Sequence, residues 1–84
     1  MDGLQTRVAI IGIIVENSEA VADLNNILHE YSQYIIGRMG VPYQKKGISI
    51  ISVAIDATND VISALSGKLG KLPGISSKTT YSKV

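Results

Sequence analysis

From Val8 to Val15 every residue is apolar or glycine, and most of them are β-branched. A strand with that composition is apolar on both faces, and both faces want cover. A second strongly apolar stretch, "GISIISVAID", follows between Gly47 and Asp56. Strand alternation points Ile51, Val53 and Ile55 one way and Ile48, Ile50 and Ala54 the other. A fold for this chain must place both stretches at the centre of a sheet.

The period changes after each run. In "NSEAVADLNNILHEY" the residues Val21, Leu24, Leu28 and Tyr31 recur at helical spacing, with Ala20 and Ile27 beside them. Asn17 or Ser18 supplies an N-cap, and Glu19 suits the positive helix start. In "TNDVISALSGKLGKL" the stripe is Val61, Leu65, Leu69 and Leu72. Thr58 caps it, Asp60 suits its first turn, and Gly70 followed by Pro73-Gly74 ends it, with Gly70 in a left-handed cap.

Two weaker strands complete the pattern. "SQYIIGRMGV" carries two glycines and reads as an edge strand bulged at Gly37 or Gly40, with "PYQKKG" as the turn after it. "ISSKTTYS" is polar and reads as the other edge. The order is β-α-β-β-α-β, which predicts an α+β, ferredoxin-like fold: a four-stranded antiparallel sheet with two helices on one face. In that topology the first and third strands are central, and these are the two apolar ones. The 84 residues make a single domain, 1–84, with residues 1–5 a loose start.

The same pattern predicts assembly. Both helices cover one sheet face, yet the central strands are apolar on the other face too. An open face of that kind is a large exposed apolar patch. Burying a few hundred Å2 of it at about 25 cal/mol per Å2 is worth several kcal/mol before association costs. A homo-oligomer, dimer or tetramer, closed through the sheet face or through paired edges is the expectation.

Composition narrows the function classes. The net charge of +1 gives no field for an anionic polymer, so direct nucleic-acid binding is not expected. The chain has no cysteine, which removes disulfides, thiolate metal sites and cysteine nucleophiles. No apolar run is long enough to span a bilayer and the opening residues, MDGLQTR, are polar, so no membrane contact and a cytoplasmic location are expected. Catalysis finds no support: His29 is the sole histidine, and no Ser-His-Asp or acid-base pairing is suggested locally. No catalytic residue, no metal site and no particular cofactor is assigned.

"SALSGKLGKLPGISSK" (Ser63 to Lys78) contains a Gly-Lys pair of the kind found in phosphate-binding loops. It fails as one. Such a loop needs a glycine five residues before Gly67, where Ile62 stands, and Ser or Thr after Lys68, where Leu69 stands. It also closes a helix, where carbonyls repel phosphate and Lys68 and Lys71 offset the dipole. Gly67 remains unexplained, because a mid-helix glycine costs about 1 kcal/mol against alanine. It permits close approach of either another backbone or a ligand.

Arg38, Met39, Gly40, Pro42 and Tyr43 form the most distinctive cluster. An arginine between two glycines can hold a carboxylate or phosphate bidentately, and Tyr43 adds a ring and a hydroxyl. The same residues also fit an ordinary edge strand with a surface arginine and a proline turn. As ligand-binding candidates the sequence offers Arg38, Met39, Gly40, Tyr43 and Gly67, with Arg38 and Tyr43 on one pocket wall at a subunit interface. His29 lies about 150° from the centre of the first helical stripe and reads as a solvated histidine. Asp56, Asn59 and Asp60, like Glu16 and Asn17, stand at strand-to-helix junctions and read first as capping and first-turn charges.

"HEYSQYIIGRMGVPY" (His29 to Tyr43) and "ISALSGKLGKLPGISSKTTYSK" (Ile62 to Lys83) resemble the iron-only hydrogenase system regulator family, small proteins whose genes lie beside those of iron-only hydrogenases. That family is in turn similar to ACT domains and to the effector-binding C-terminal domain of the nickel-responsive repressor. The resemblance implies a regulator, transcriptional by name, that works as an oligomeric ligand-sensing module with a small-molecule effector or partner protein. It does not carry over the repressor's DNA-binding arm, for which the chain has no room. Nor does it carry over the nickel site of several histidines and a cysteine. The rival readings are a small dimeric ferredoxin-like enzyme, or a structural assembly partner without a ligand.

Overall fold

The structure, a computed structural model, describes residues 5–83, so all but Gln5 of the expected loose start lies outside the described residues. The elements run β1 (Arg7–Val15), α1 (Val21–Glu30), β2 (Ile35–Tyr43), β3 (Ile48–Ala57), α2 (Asn59–Gly70) and β4 (Ile75–Tyr81). Short 3-10 turns at Ser18–Ala20, Ser32–Tyr34 and Gln44–Lys46 join them. The sheet is antiparallel with strand order β2-β3-β1-β4, so the two apolar strands are central and the fold is the ferredoxin-like one expected.

Register explains the core. The β1–β3 ladder sets Ala9 opposite Ile55, Ile11 opposite Val53, and Ile13 opposite Ile51. These side chains face the helices and are buried, as are Val15 and Ala57. From above, α1 contributes Leu24 and Leu28, and α2 contributes Ile62, Leu65 and Leu69. No polar or charged residue is buried among those described. The α2 stripe differs from the one read in the sequence: Ile62 is buried, while Val61 and Leu72 are only half-buried at its margins. Both sets satisfy a period of 3.6, and only packing chooses between them.

The caps are local chemistry. Thr58 Oγ1 accepts from the Val61 amide at 3.3 Å and starts α2, as expected. Asn17 Oδ1 accepts from the Glu19 amide at 3.0 Å, but it caps the 3-10 turn; α1 itself follows without a side-chain cap. Gly70 is still helical, and Lys71 closes α2 in a right-handed conformation. The left-handed residue after α2 is Gly74, with φ +72. Its carbonyl accepts from the Glu16 amide at 2.7 Å, and a Cβ on it would run into the Cβ of Asn17. The entry to β4 is therefore pressed against the junction that leads into α1.

Smaller contacts tie the layers. Ser66 and Thr79 share a hydroxyl hydrogen bond of 2.9 Å between α2 and β4. The Arg7 guanidinium lies 4.5 Å from the centre of the Tyr81 ring and donates to the Ser82 carbonyl at 3.2 Å. Lys68 stands 3.6 Å from Glu30 and over the Tyr31 ring. The Tyr31 hydroxyl, and after it the Glu30 charge, holds the Lys68 ammonium above its ordinary value.

Gly67 and Gly74 separate two roles of glycine. A Cβ on Gly67 meets nothing within 4 Å, so Gly67→Ala should stabilise the protein by about 0.5–1 kcal/mol in urea unfolding. Gly74→Ala, forced to positive φ against Asn17, should destabilise it by more than about 1 kcal/mol in the same assay.

Candidate functional site

The face of the sheet away from the helices can be read row by row from the register. Val41, Ile50, Ile14 and Ser76 stand abreast across the four strands. Met39, Ser52, Gly12 and Lys78 form the next row, and Gly37, Ala54, Ile10 and Thr80 the third. The β2, β3 and β1 positions are apolar or small; the β4 positions are hydroxyls and a lysine. Met39 is 63% exposed, Ile10 51%, Val41 47% and Ile50 42%. A band of exposed apolar side chains thus runs over three strands with a polar border on the fourth. Where Gly37 and Ala54 leave room beside Ile10 and Met39, the surface dips into an open trough of about 280 Å3.

The candidate residues of β2 divide between the two faces. Met39 and Tyr43 pair with Ser52 and Ile48 and lie on the open face. Arg38 and Gly40 pair with the buried Val53 and Ile51 and lie on the helix side. The structure therefore does not bring Arg38 and Tyr43 to one wall within a subunit. Gly67 sits on the exposed side of α2, with open space above it.

What positions Arg38 is a bulge. Ile35 pairs with Ile55 and Gly37 with Ala54, so Ile36 is the extra residue. The irregularity comes just before Gly37, and Gly40 pairs regularly. Strict alternation would send residues 35 and 38 to opposite faces. The bulge resets the phase, so both turn toward the helix layer. Ile35 packs against the core, and Arg38 reaches α1, where its Nη2 donates to Asn25 Oδ1 at 3.0 Å. Pro42 lies within β2 and Tyr43 ends it, because an edge strand with one neighbour tolerates a missing amide donor.

Between α1 and β2 runs a groove of about 250 Å3, lined by Asn25, Leu28, His29, Ser32, Ile35 and Arg38. Leu28 and Ile35 make an apolar floor; the other four are exposed and polar. Sequence reading missed Asn25 and Ser32 and set His29 aside as solvated. The spacing of Asn25, His29 and Ser32 marks one helical stripe, but nothing in the sequence says that a bulged edge strand lies beside it. Among the described residues no three His, Cys, Asp or Glu side chains gather as a metal site, and no helix is long and apolar enough to cross a membrane.

These features define a ferredoxin-like α+β domain with a bare apolar sheet face and a polar-rimmed groove on one edge. The chain belongs to the TM1266-like family, described as "Iron-only hydrogenase system regulator, putative", whose sequence profile matches residues 7–79. Its structure is similar to that of the uncharacterized protein TM1266 from Thermotoga maritima, with a TM-score of 0.90 and 36% identity over 94% of this chain and 100% of that one. A formyltetrahydrofolate deformylase from Pseudomonas putida KT2440 shares the fold at 15% identity and TM-score 0.63, over 87% of this chain but 28% of that one. A protein of unknown role from Galdieria sulphuraria shares it at 16% identity and TM-score 0.64, over 95% of this chain and 47% of that one. No curated protein matches the chain.

The bulge can be tested directly. Deleting Ile36 removes the phase reset, so either Ile35 leaves the core or Arg38 leaves the groove. The deletion shifts one half of β2 by a residue and should cost at least about 1 kcal/mol, whereas Ile36→Ser at the same exposed position should cost less than about 0.5 kcal/mol. Equal losses in denaturant titrations would overturn the account.

Proposed function

We propose that the chain is an oligomeric sensing module in the cytoplasmic control of an iron-only hydrogenase system. Family membership supplies the system. The observation that carries the mode of action is the exposed band of Ile10, Met39, Val41 and Ile50. Two copies stacked face to face about a two-fold axis between the sheets cover the band with itself, and Lys78 on β4 stays at the rim. Such an interface joins apolar centre to apolar centre and leaves its charge in water.

A regulator of this kind acts through a ligand or a protein partner. A net charge of +1 supplies no basic stripe for a phosphate backbone. The enzyme reading would need paired polar groups between helices and sheet; Ile, Leu and Val fill that space. Binding at one subunit would reach others through the shared sheet face.

Native mass spectrometry should find a dimer or tetramer. Replacing Met39 and Ile50 together with lysine should give a folded monomer, because both side chains are exposed in the isolated subunit. A monomeric wild-type protein would overturn assembly through this face. In the cell, deleting the gene should change hydrogenase transcript level or activity; no change in either would falsify the regulatory role.

A further inference from the structure

The groove between α1 and β2 has a chemistry that the fold does not require. Arg38 carries a fixed positive charge, yet its hydrogen bond there goes to the neutral amide of Asn25. Among the described residues the ion pair is Lys68 with Glu30, and Arg38 takes part in none. No carboxylate lines the groove. The rim adds three further side chains able to donate: the amide NH2 of Asn25, an imidazole N–H of His29 and the hydroxyl of Ser32. The floor, Leu28 and Ile35, is apolar. Asn25, His29 and Ser32 come from one stripe of the first helical segment and the turn after it. Arg38 comes from the opposite wall and is aimed there by the bulge at Ile36.

We propose that this groove binds a small organic carboxylate with a short apolar tail. Arg38 takes the carboxylate as a planar, charge-assisted pair, with His29 and Ser32 donating from the helix side. Asn25 Oδ1 acts as a positioning group that holds the guanidinium over the groove. Ile35, above the buried Leu28, takes the tail. The volume of about 250 Å3 suits a molecule of a few carbons rather than a nucleotide. A free amino acid is disfavoured, because no lining carboxylate meets its ammonium. The biological meaning of this site rests on the sensing role proposed above; its chemistry does not.

The test is an amide-resolved NMR titration of the full chain with 3-methylbutanoate, with 3-methylbutanamide and inorganic phosphate as controls. The carboxylate should bind with a dissociation constant below about 1 mM. Its shift changes should centre on Asn25, Leu28, His29, Ser32, Ile35 and Arg38. The uncharged amide, which keeps the tail, and phosphate, which lacks it, should each bind at least about tenfold more weakly. Arg38→Ala should weaken the carboxylate by about 10–100-fold with an unchanged unfolding midpoint, and Arg38→Lys should recover part of the loss. No shifts, shifts centred elsewhere, or equal binding of either control would overturn the proposal. Carboxylate binding in a protein whose deletion leaves the hydrogenase unaffected would uphold this site and overturn the sensing role, so the two failures are distinct.

Discussion

Two short helices can cover only one face of a four-stranded sheet, while β1 and β3 are apolar on both. Most of the molecule follows from that mismatch. On the covered face, Ile11, Ile13, Val53 and Ile55 meet Leu24, Leu28, Ile62, Leu65 and Leu69, and no polar residue is buried among those described. On the bare face, Ile10 and Ile50 keep about half their surface in water. In a domain this small, which buries about 60% of its unfolded surface, that is apolar area left over from the folding of one subunit. The self-association proposed above would recover it, with the polar β4 border as the limit of the covered surface.

The edge strands carry what the central strands cannot. β2 has a single neighbour, so it accommodates an extra residue at Ile36 and a proline at position 42 without breaking the sheet. The extra residue changes the phase of the strand part-way along it. One half of β2 gives Ile35 to the core, and the other half sends Arg38 back to the same side, beside α1. Beyond Arg38 the alternation is regular, so Met39, Val41 and Tyr43 join the bare face. One irregularity thus assigns residues of one nine-residue strand to three tasks: core, groove and apolar face. The groove and the bare face share the edge strand, so a short mechanical route through β2 joins the ligand site and the assembly surface proposed above. That route is a matter of contiguity, and coupling along it depends on two arrangements of β2 having comparable free energy.

Most of the fold was legible because it is written in local patterns. The β-branched runs named the central strands, the helical period named α1 and α2, and Thr58 marked the start of α2. The bare apolar face was legible too, since alternation along Ile48, Ile50 and Ala54 and the unbroken run of β1 placed apolar side chains on both sides. Two misreadings of the fold were choices between locally equal options. Val61 and Ile62 both satisfy the helical stripe, and contact with the sheet buries Ile62. Gly70 and Gly74 could each supply the left-handed turn; the close approach to Asn17 assigns it to Gly74.

The sequence by itself determined the order of elements, the identity of the central strands and the presence of a second apolar face. Each is encoded in periods of two or 3.6 residues and needs no distant partner. Only the tertiary structure decided where Arg38 points and what surrounds it. The position of a bulge depends on how β2 registers against β3 while Ile35 seeks the core, and that competition joins residues far apart in the chain. For the same reason Asn25, His29 and Ser32 are only a polar helical stripe in the sequence and one wall of a groove in the fold.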